Sequence, residues 1–325
     1  MTLRTIPLID AGPHGALGAL DAAPERLDEI MRTARKRYSV PAMLVADAMS
    51  RRWMERSDDP YLPEIAAVAA RSVWPGAYML NLSFEWGCTT GLAPDPEAPG
   101  NRMLRTLDWP LEGLGRALVV TRHEGRAGEY FNVTWPGFAG IITAMAPGRF
   151  SAAINQPPMR WTSPVMAFDW VANRAAIWRN GGLPPAHLLR KVFDECETYA
   201  KAKKMLSESP LCVPAFYSLG GMEADESCAI ERLETRAKLR HGPVSTANHW
   251  TGFRVPGRAR GFDSPGRWRC MEETHASGVA DDFSWVAPPI LNATTRVAVI
   301  ANAKTRKLMV QGWEEDGPAT EVFTL

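Results

Sequence analysis

The order of patterns along the 325 residues predicts an α+β protein. Helical periodicity occupies the first 75 residues, short strands punctuated by glycine and proline begin near 115, and central helices then give way to closing strands. Runs of strands and runs of helices, rather than regular alternation, are the mark of α+β layers. No internal repeat or low-complexity linker divides the chain, so one domain with a helical N-terminal segment is expected.

Each element rests on a local signal. Leu27, Ile30, Met31 and Ala34 follow the i, i+3, i+4, i+7 spacing of a one-sided helix. Residues 63–73 read as a second helix, leading into a strand-like run at 77–86 that ends at Gly87-Cys88. Strands are expected at 116–123, 129–135, 138–145 and 149–154, where Gly125, Gly128, Pro136-Gly137 and Pro147-Gly148 mark hairpin turns. Ser163-Pro164 is a helix start, with Ser as cap and Pro at the first position. A further helix begins near Pro185, with Leu188, Leu189, Val192, Phe193 and Cys196 on one face. Strands return at 213–219, 243–247, 296–302, 306–313 and 319–325.

Composition narrows the function classes. Thirty-seven Lys+Arg against 36 Asp+Glu leave a formal charge of +1, too little to draw in nucleic acid. No stretch reaches the roughly 18–20 apolar residues of a membrane span, so stable membrane insertion is not expected. The first twenty residues are broken by Pro7, Asp10 and Pro13, a poor secretory signal, and the protein is read as cytoplasmic. Five widely spread cysteines without a CxxC pair argue against a disulfide scaffold or a zinc site. Phosphate loops, GxGxxG, HExxH and GxSxG are all absent, and no cofactor is expected.

One cluster carries chemistry. Cys88 ends a strand-like segment, and Arg105 and Asp108 follow in RMLRTLDWP beyond a proline- and glycine-rich loop. If 88–92 and 103–108 are hairpin arms, cross-strand neighbours sit about 5 Å apart at Cβ. Cys88 is then expected to face both Arg105 and Asp108, and a nearby cation lowers a thiol pKa. Taken alone, the same residues also fit a buried structural thiol and a surface ion pair.

At these positions the sequence resembles the superfamily of choloylglycine hydrolase, acid ceramidase and N-acylethanolamine acid amidase, with isopenicillin N acyltransferase more distant. LPEIAAVAARSVWPGAYMLNLSFEWGCTT is similar to the segment leading to the acid ceramidase cleavage site, including Asn81 and Glu85. RTLDWP, TWPGFAGIITAMAPGRFSAAINQ, TANHW and DSPGRWRCMEE resemble further family blocks, in order from about 63 to 275. The resemblance implies an N-terminal-nucleophile (Ntn) hydrolase, a four-layer αββα sandwich. It implies self-cleavage before Cys88, dividing 1–87, a pro-segment or α-subunit, from a catalytic core at 88–325. The α-amine of Cys88 then serves as base for its own thiol. Asp108 orients that amine, Arg105 stabilises charge, Asn248 donates to the oxyanion, and Arg267 braces the site.

The substrate so implied is an N-acyl amine or N-acyl amino acid, cleaved at its amide through a thioester. Two departures stand out. The spacing from Cys88 to Asp108 is a residue longer than usual in the family. Asn155-Gln156-Pro157 replaces an Asn-Glu-Arg block, losing a carboxylate, so the resemblance leaves open both the lipid-amide specificity and the acidic optimum of lysosomal members. Trp135, Trp161, Trp170 and Trp178 are candidates for an acyl pocket or for core. Trp135, Trp161 and Asn155 are taken as substrate-binding. His249 is a general base or a packing residue, with packing favoured because the amine takes the base's role. The basic run at 254–261 is a solvated loop and one lip of the pocket. An acyltransferase, a catalytically silent binding protein and a homo-oligomer all remain open on the sequence.

Overall fold

The structure, a computed structural model, describes residues 3–84, 86–278 and 280–325, and of Pro13, Ala167 and Trp170 the backbone alone. Glu85 lies outside the described residues. A short strand, β1 (Leu8–Asp10), precedes helices α1 (Gly15–Ala22), α2 (Pro24–Tyr38), α3 (Val40–Arg56) and α4 (Leu62–Arg71). In α2 the expected stripe of Leu27, Ile30, Met31 and Ala34 is the buried face. Pro24 opens that helix, Glu25 sits in its first turn, and Arg35, Lys36 and Arg37 close it, as the helix dipole favours.

The segment at 77–86 departs from the expected strand. It forms a short helix, α5 (Ala77–Asn81), and then runs without regular structure into the next strand. Asn81 explains the change: its Nδ2 donates to the Ala77 carbonyl at 2.8 Å, and its Oδ1 accepts from the Ala139 amide at 2.7 Å. The segment is thus pinned to the loop at 137–139 rather than to a sheet edge.

Next come β2 (Gly87–Pro94), β3 (Asn101–Asp108), β4 (Val119–Gly125), β5 (Gly128–Thr134), β6 (Thr143–Ala146), β7 (Phe150–Asn155) and the two-residue β8 (Met159–Arg160). Three helices follow, α6 (Met166–Arg179), α7 (Pro185–Glu195) and α8 (Tyr199–Glu208). The chain ends with β9 (Ala215–Gly220), β10 (Ser227–Arg232), β11 (Ala237–His241), β12 (Val244–Thr246), β13 (Gly257–Arg258), α9 (Ser264–Ser277), β14 (Thr295–Asn302), β15 (Lys307–Glu314), β16 (Gly317–Pro318) and β17 (Phe323–Thr324). The expected strand at 138–145 is confined to β6, and that at 319–325 to β17.

Two sheets result. One runs β1-β4-β5-β6-β7-β9-β10-β11, and the other β12-β2-β3-β14-β15-β16, with β17 also on β15. Strands β2, β3 and β14 face β7 and β9, with Leu92, Met103, Leu107 and Val299 of the second sheet turned toward the first. Helices α7 and α8 cover the outer face of the first sheet, and α9 covers β2 and β12 on the second. Helix, sheet, sheet, helix is the αββα order. The same apolar core continues into α1–α5 through Leu20, Ile30, Trp53 and Ile65. Among the described residues no helix is long and apolar enough to cross a membrane.

Candidate active site

The β2–β3 hairpin sets the site through its register. Cys88 pairs with Leu107, Thr90 with Arg105, and Gly87 with Asp108. Side chains alternate between faces along a strand. Cys88, Thr90, Arg105 and Leu107 therefore point between the sheets, whereas Thr89 and Asp108 point outward beneath α9. The expectation that Cys88 faces both Arg105 and Asp108 is corrected on this point. The aspartate lies three positions beyond the arginine, and an odd offset puts them on opposite faces.

On the inner face, Cys88 and Arg105 are fully buried. Arg105 Nη2 donates to Cys88 Sγ at 3.1 Å and to the Ile154 carbonyl at 2.8 Å. Its Nη1 donates to Thr90 Oγ1 at 3.1 Å and Asn155 Oδ1 at 3.0 Å, and its Nε to Thr143 Oγ1 at 3.1 Å. All five guanidinium N–H groups thus have acceptors, which fixes the fork against the sulfur. Asn155 is held in turn by Nδ2 donating to the Thr246 carbonyl at 2.9 Å. Burial pushes the Cys88 thiol pKa up, and the Arg105 cation opposes that rise.

On the outer face, Arg267 of α9 is equally buried. Its Nη1 donates to the Cys88 carbonyl at 2.6 Å and Thr89 Oγ1 at 2.8 Å, and lies 3.5 Å from Asp108 Oδ2. Its Nη2 donates to Asn248 Oδ1 at 2.8 Å. That same oxygen accepts the Cys88 backbone N–H at 2.8 Å, while Asn248 Nδ2 donates to the Gln156 carbonyl at 2.7 Å. Asn248 therefore meets the nucleophile first as an acceptor for its nitrogen. Asp108 Oδ1 accepts from Thr295 Oγ1 at 2.9 Å; Oδ2 is buried without a hydrogen bond. All five expected catalytic residues converge on the Gly87–Cys88 peptide. Among the described residues no group of three or more His, Cys, Asp or Glu could hold a metal ion.

No protein-family model matches the chain. The N-acylethanolamine-hydrolyzing acid amidase of Mus musculus is 26% identical over 158 residues, 47% of this chain and 41% of that protein. The acid ceramidase of Heterocephalus glaber is 27% identical over 100 residues, 30% of this chain and 24% of that protein. Among solved structures, the Caenorhabditis elegans ortholog of N-acylethanolamine-hydrolyzing acid amidase matches with a TM-score of 0.53 at 16% identity, covering 73% of this chain and 100% of that one. The chain is a relative of the acid ceramidases and N-acylethanolamine acid amidases. Its fold is that of the Ntn hydrolases. It spans less than half the length of the curated relatives it matches.

Beside the Cys88 cluster lies a cavity of about 620 Å³. Gln156, whose carbonyl holds Asn248, is one wall, and Phe84, four residues before Cys88, is another. Met159, Ile177 and Val213 make it apolar, and Arg258 and Arg260 bring the basic run at 254–261 to its edge, as the lip reading requires. The tryptophans serve it less than expected. Trp135 is buried away from these walls, edge-on to Trp109, with its indole N–H on the Leu114 carbonyl at 2.8 Å. A buried indole that already has its partner is a core residue. Trp161 is 57% exposed, outside the cavity wall, and sits beneath the Arg258 guanidinium. Trp178 packs partly buried against the core under Arg56, and the side chain of Trp170 lies outside the described residues. His249 shares Ser264 Oγ at 2.8 Å and packs edge-on to Trp268.

Sequence reading missed Thr90, Thr143, Thr89 and Ser264. Thr90 had a signal, because it lies two residues beyond Cys88 on the same face. Ser264 lies in the DSPGRWRCMEE block, but its contact could not be read there: its Oγ accepts the Asn248 N–H at 2.7 Å across a long loop.

Proposed function

We propose that the chain is a cysteine Ntn amidase, hydrolysing the C–N bond of an N-acyl amine or N-acyl amino acid. The observation that carries this reading is the treatment of one residue at both ends. The Cys88 sulfur takes a hydrogen bond from buried Arg105 at 3.1 Å, and its nitrogen is held by Asn248 Oδ1 at 2.8 Å. A structural cysteine needs neither contact.

The sequence of steps starts with cleavage. The Cys88 thiol adds to the Gly87 carbonyl, the C–N bond breaks as nitrogen takes a proton, and water hydrolyses the resulting thioester. Residues 1–87 then become a separate segment, and the Cys88 α-amine is freed. An α-amine has an ordinary pKa of about 7.7–8.0, near working pH. Its contact with Asn248 Oδ1 gives it one acceptor, and the Asp108 carboxylate, whose Oδ2 accepts no hydrogen bond and lies 3.5 Å from Arg267 Nη1, would serve as a second.

In turnover, the amine takes the thiol proton and the thiolate attacks the substrate carbonyl. The remaining N–H of Asn248 Nδ2, beyond the one on Gln156, donates to the oxygen as charge develops. Collapse expels the amine product, which leaves with the proton, and water releases the acid from the thioester. Arg105 offsets burial by favouring the thiolate.

The test is Cys88→Ala. It is expected to abolish both amine release from N-acyl substrates and the cut before residue 88, read by intact mass, with melting little changed. Alanine at Cys196, Cys212, Cys228 or Cys270 is expected to keep activity. Turnover by Cys88→Ala, or a fully active preparation holding only uncut chain, would overturn the reading.

A further inference from the structure

Asn155, expected to bind substrate, has no polar group left with which to do so. It is fully buried. Its Oδ1 accepts from Arg105 Nη1 at 3.0 Å and from Thr90 Oγ1 at 2.8 Å, which fills both lone pairs. Its Nδ2 donates to the Thr246 carbonyl at 2.9 Å and the Ala247 carbonyl at 3.2 Å, which uses both N–H groups. Those carbonyls belong to the two residues just before Asn248. Asn155 therefore joins the two halves of the site. One is Arg105, which holds the Cys88 sulfur, and the other is the strand end that presents Asn248 to the Cys88 nitrogen.

The acceptors around Arg105 share a second property. The Thr90 and Thr143 hydroxyls, the Asn155 amide and the Ile154 carbonyl are all neutral. Among the described residues no carboxylate pairs with this guanidinium. The one carboxylate of β3, Asp108, points to the opposite face, 3.5 Å from Arg267 Nη1. A charge so fully buried is ordinarily paired with an opposite one. Hydrogen bonds to neutral oxygens hold the fork in place without cancelling its charge, and the remaining group it touches is the Cys88 sulfur at 3.1 Å.

We infer, deepening the amidase reading above, that Thr90, Thr143 and Asn155 form a neutral cage that fixes Arg105 and leaves its charge to the Cys88 thiolate, with Asn155 a positioning residue rather than a substrate contact. A carboxylate at any of the three positions would pair with Arg105 and add a like charge beside the thiolate, which disfavours it. The charged groups around the sulfur are Arg105 on its own face and, on the other, Asp108 of β3 and Arg267 of α9. Burial raises the thiol pKa most, and Arg105 is the strongest influence against that rise.

The experiment compares Thr143→Asp with Thr143→Asn, which match in shape and differ in charge. Alkylation of Cys88 by iodoacetamide, located by peptide mass, is followed from about pH 6 to 10 on the cut protein, with the cut read by intact mass and folding by thermal melts. The midpoint of the Asp variant is expected to lie about one unit or more above that of the Asn variant, about tenfold slower alkylation at neutral pH. An Asp variant that melts like the Asn variant yet stays uncut supports the same assignment, because the cut uses the same sulfur. Equal midpoints and equal cutting in the two variants overturn it. Asn155→Ala decides the matter if the Asp variant does not fold: slower alkylation, and a lowered kcat for amine release with KM nearly held, are expected of a positioning residue. A raised KM with alkylation unchanged makes Asn155 a substrate contact and overturns the inference. The expected alkylation pattern in a protein that releases amine from no N-acyl substrate overturns the amidase reading and leaves the cage standing.

Discussion

Asn248 is the residue at which two roles can be separated. Its Oδ1 accepts from the Cys88 nitrogen and from Arg267, and its Nδ2 donates to the Gln156 carbonyl with one N–H to spare. Positioning of the amine needs only the oxygen, whereas oxyanion stabilisation needs the N–H. Asn248→Asp keeps the first and loses the second, and adds a charge that repels the developing oxyanion. If the donor matters, both Asn248→Asp and Asn248→Ala lose about 10²–10³ in kcat, with KM much less affected. If only positioning matters, Asn248→Asp retains most of its kcat and Asn248→Ala does not. We expect the first pattern, checked by kinetics on both variants together with the alkylation rate of Cys88, which is expected to persist in each.

Among the elements, α9 depends on a close approach that a single residue permits. Gly91 of β2 has no side chain, and a Cβ there would fall inside the His275 ring and Met271 Sδ. Both partners are on the same helix as Arg267, which touches the Cys88 carbonyl and Asn248. Gly91→Ala is therefore expected to push α9 outward, costing about 1–3 kcal/mol in overpacking, and to lower kcat by moving Arg267. Thermal melts and kinetics on one preparation check both effects, and normal kcat at reduced stability would detach Arg267's position from catalysis. How much of the architecture can be read without coordinates varies by element for a physical reason. The α2 stripe and the β2–β3 hairpin are legible because burial follows their period. The β10–β11 hairpin is not, since β10 ends in Glu231 and Arg232, both buried. Glu231 accepts from the Thr251 and Phe253 amides at 2.7 and 3.0 Å, and Arg232 Nη2 donates to the Ser209 carbonyl at 2.6 Å. Charges that serve the main chain look like surface in a sequence. At the site, Cys88 and Arg105 follow from strand pairing, whereas Asn248 and Arg267 come from distant elements that only the resemblance brought to notice.

For the whole molecule, two histidines, buried His123 and half-buried His275, couple stability to pH. His275 packs α9 onto β2, and His123 of β4 stacks on Tyr130, its Nε2 2.9 Å from Thr121 Oγ1. Burial holds the His275 pKa down at about 4, helped by the Arg102 cation, and that of His123 at about 3, helped by Arg190. In the unfolded chain each titrates near 6.5. Between pH 6.5 and 4 the unfolded chain thus binds more protons than the fold, so stability falls as the pH falls through that window and is fully present above it. At about 1.4 kcal/mol per unit of difference, His275 alone removes on the order of 3 kcal/mol by pH 4. Because His275 carries α9 and α9 carries Arg267, the site loosens along with the fold. The melting temperature is expected to hold steady from pH 8 to 6.5 and to drop steadily toward pH 4. His275→Gln, which cannot charge, is expected to start lower and to lose less over the same range. A melting temperature that stays level or rises from pH 6.5 to 4 would mean that the two imidazoles are not held neutral by the fold.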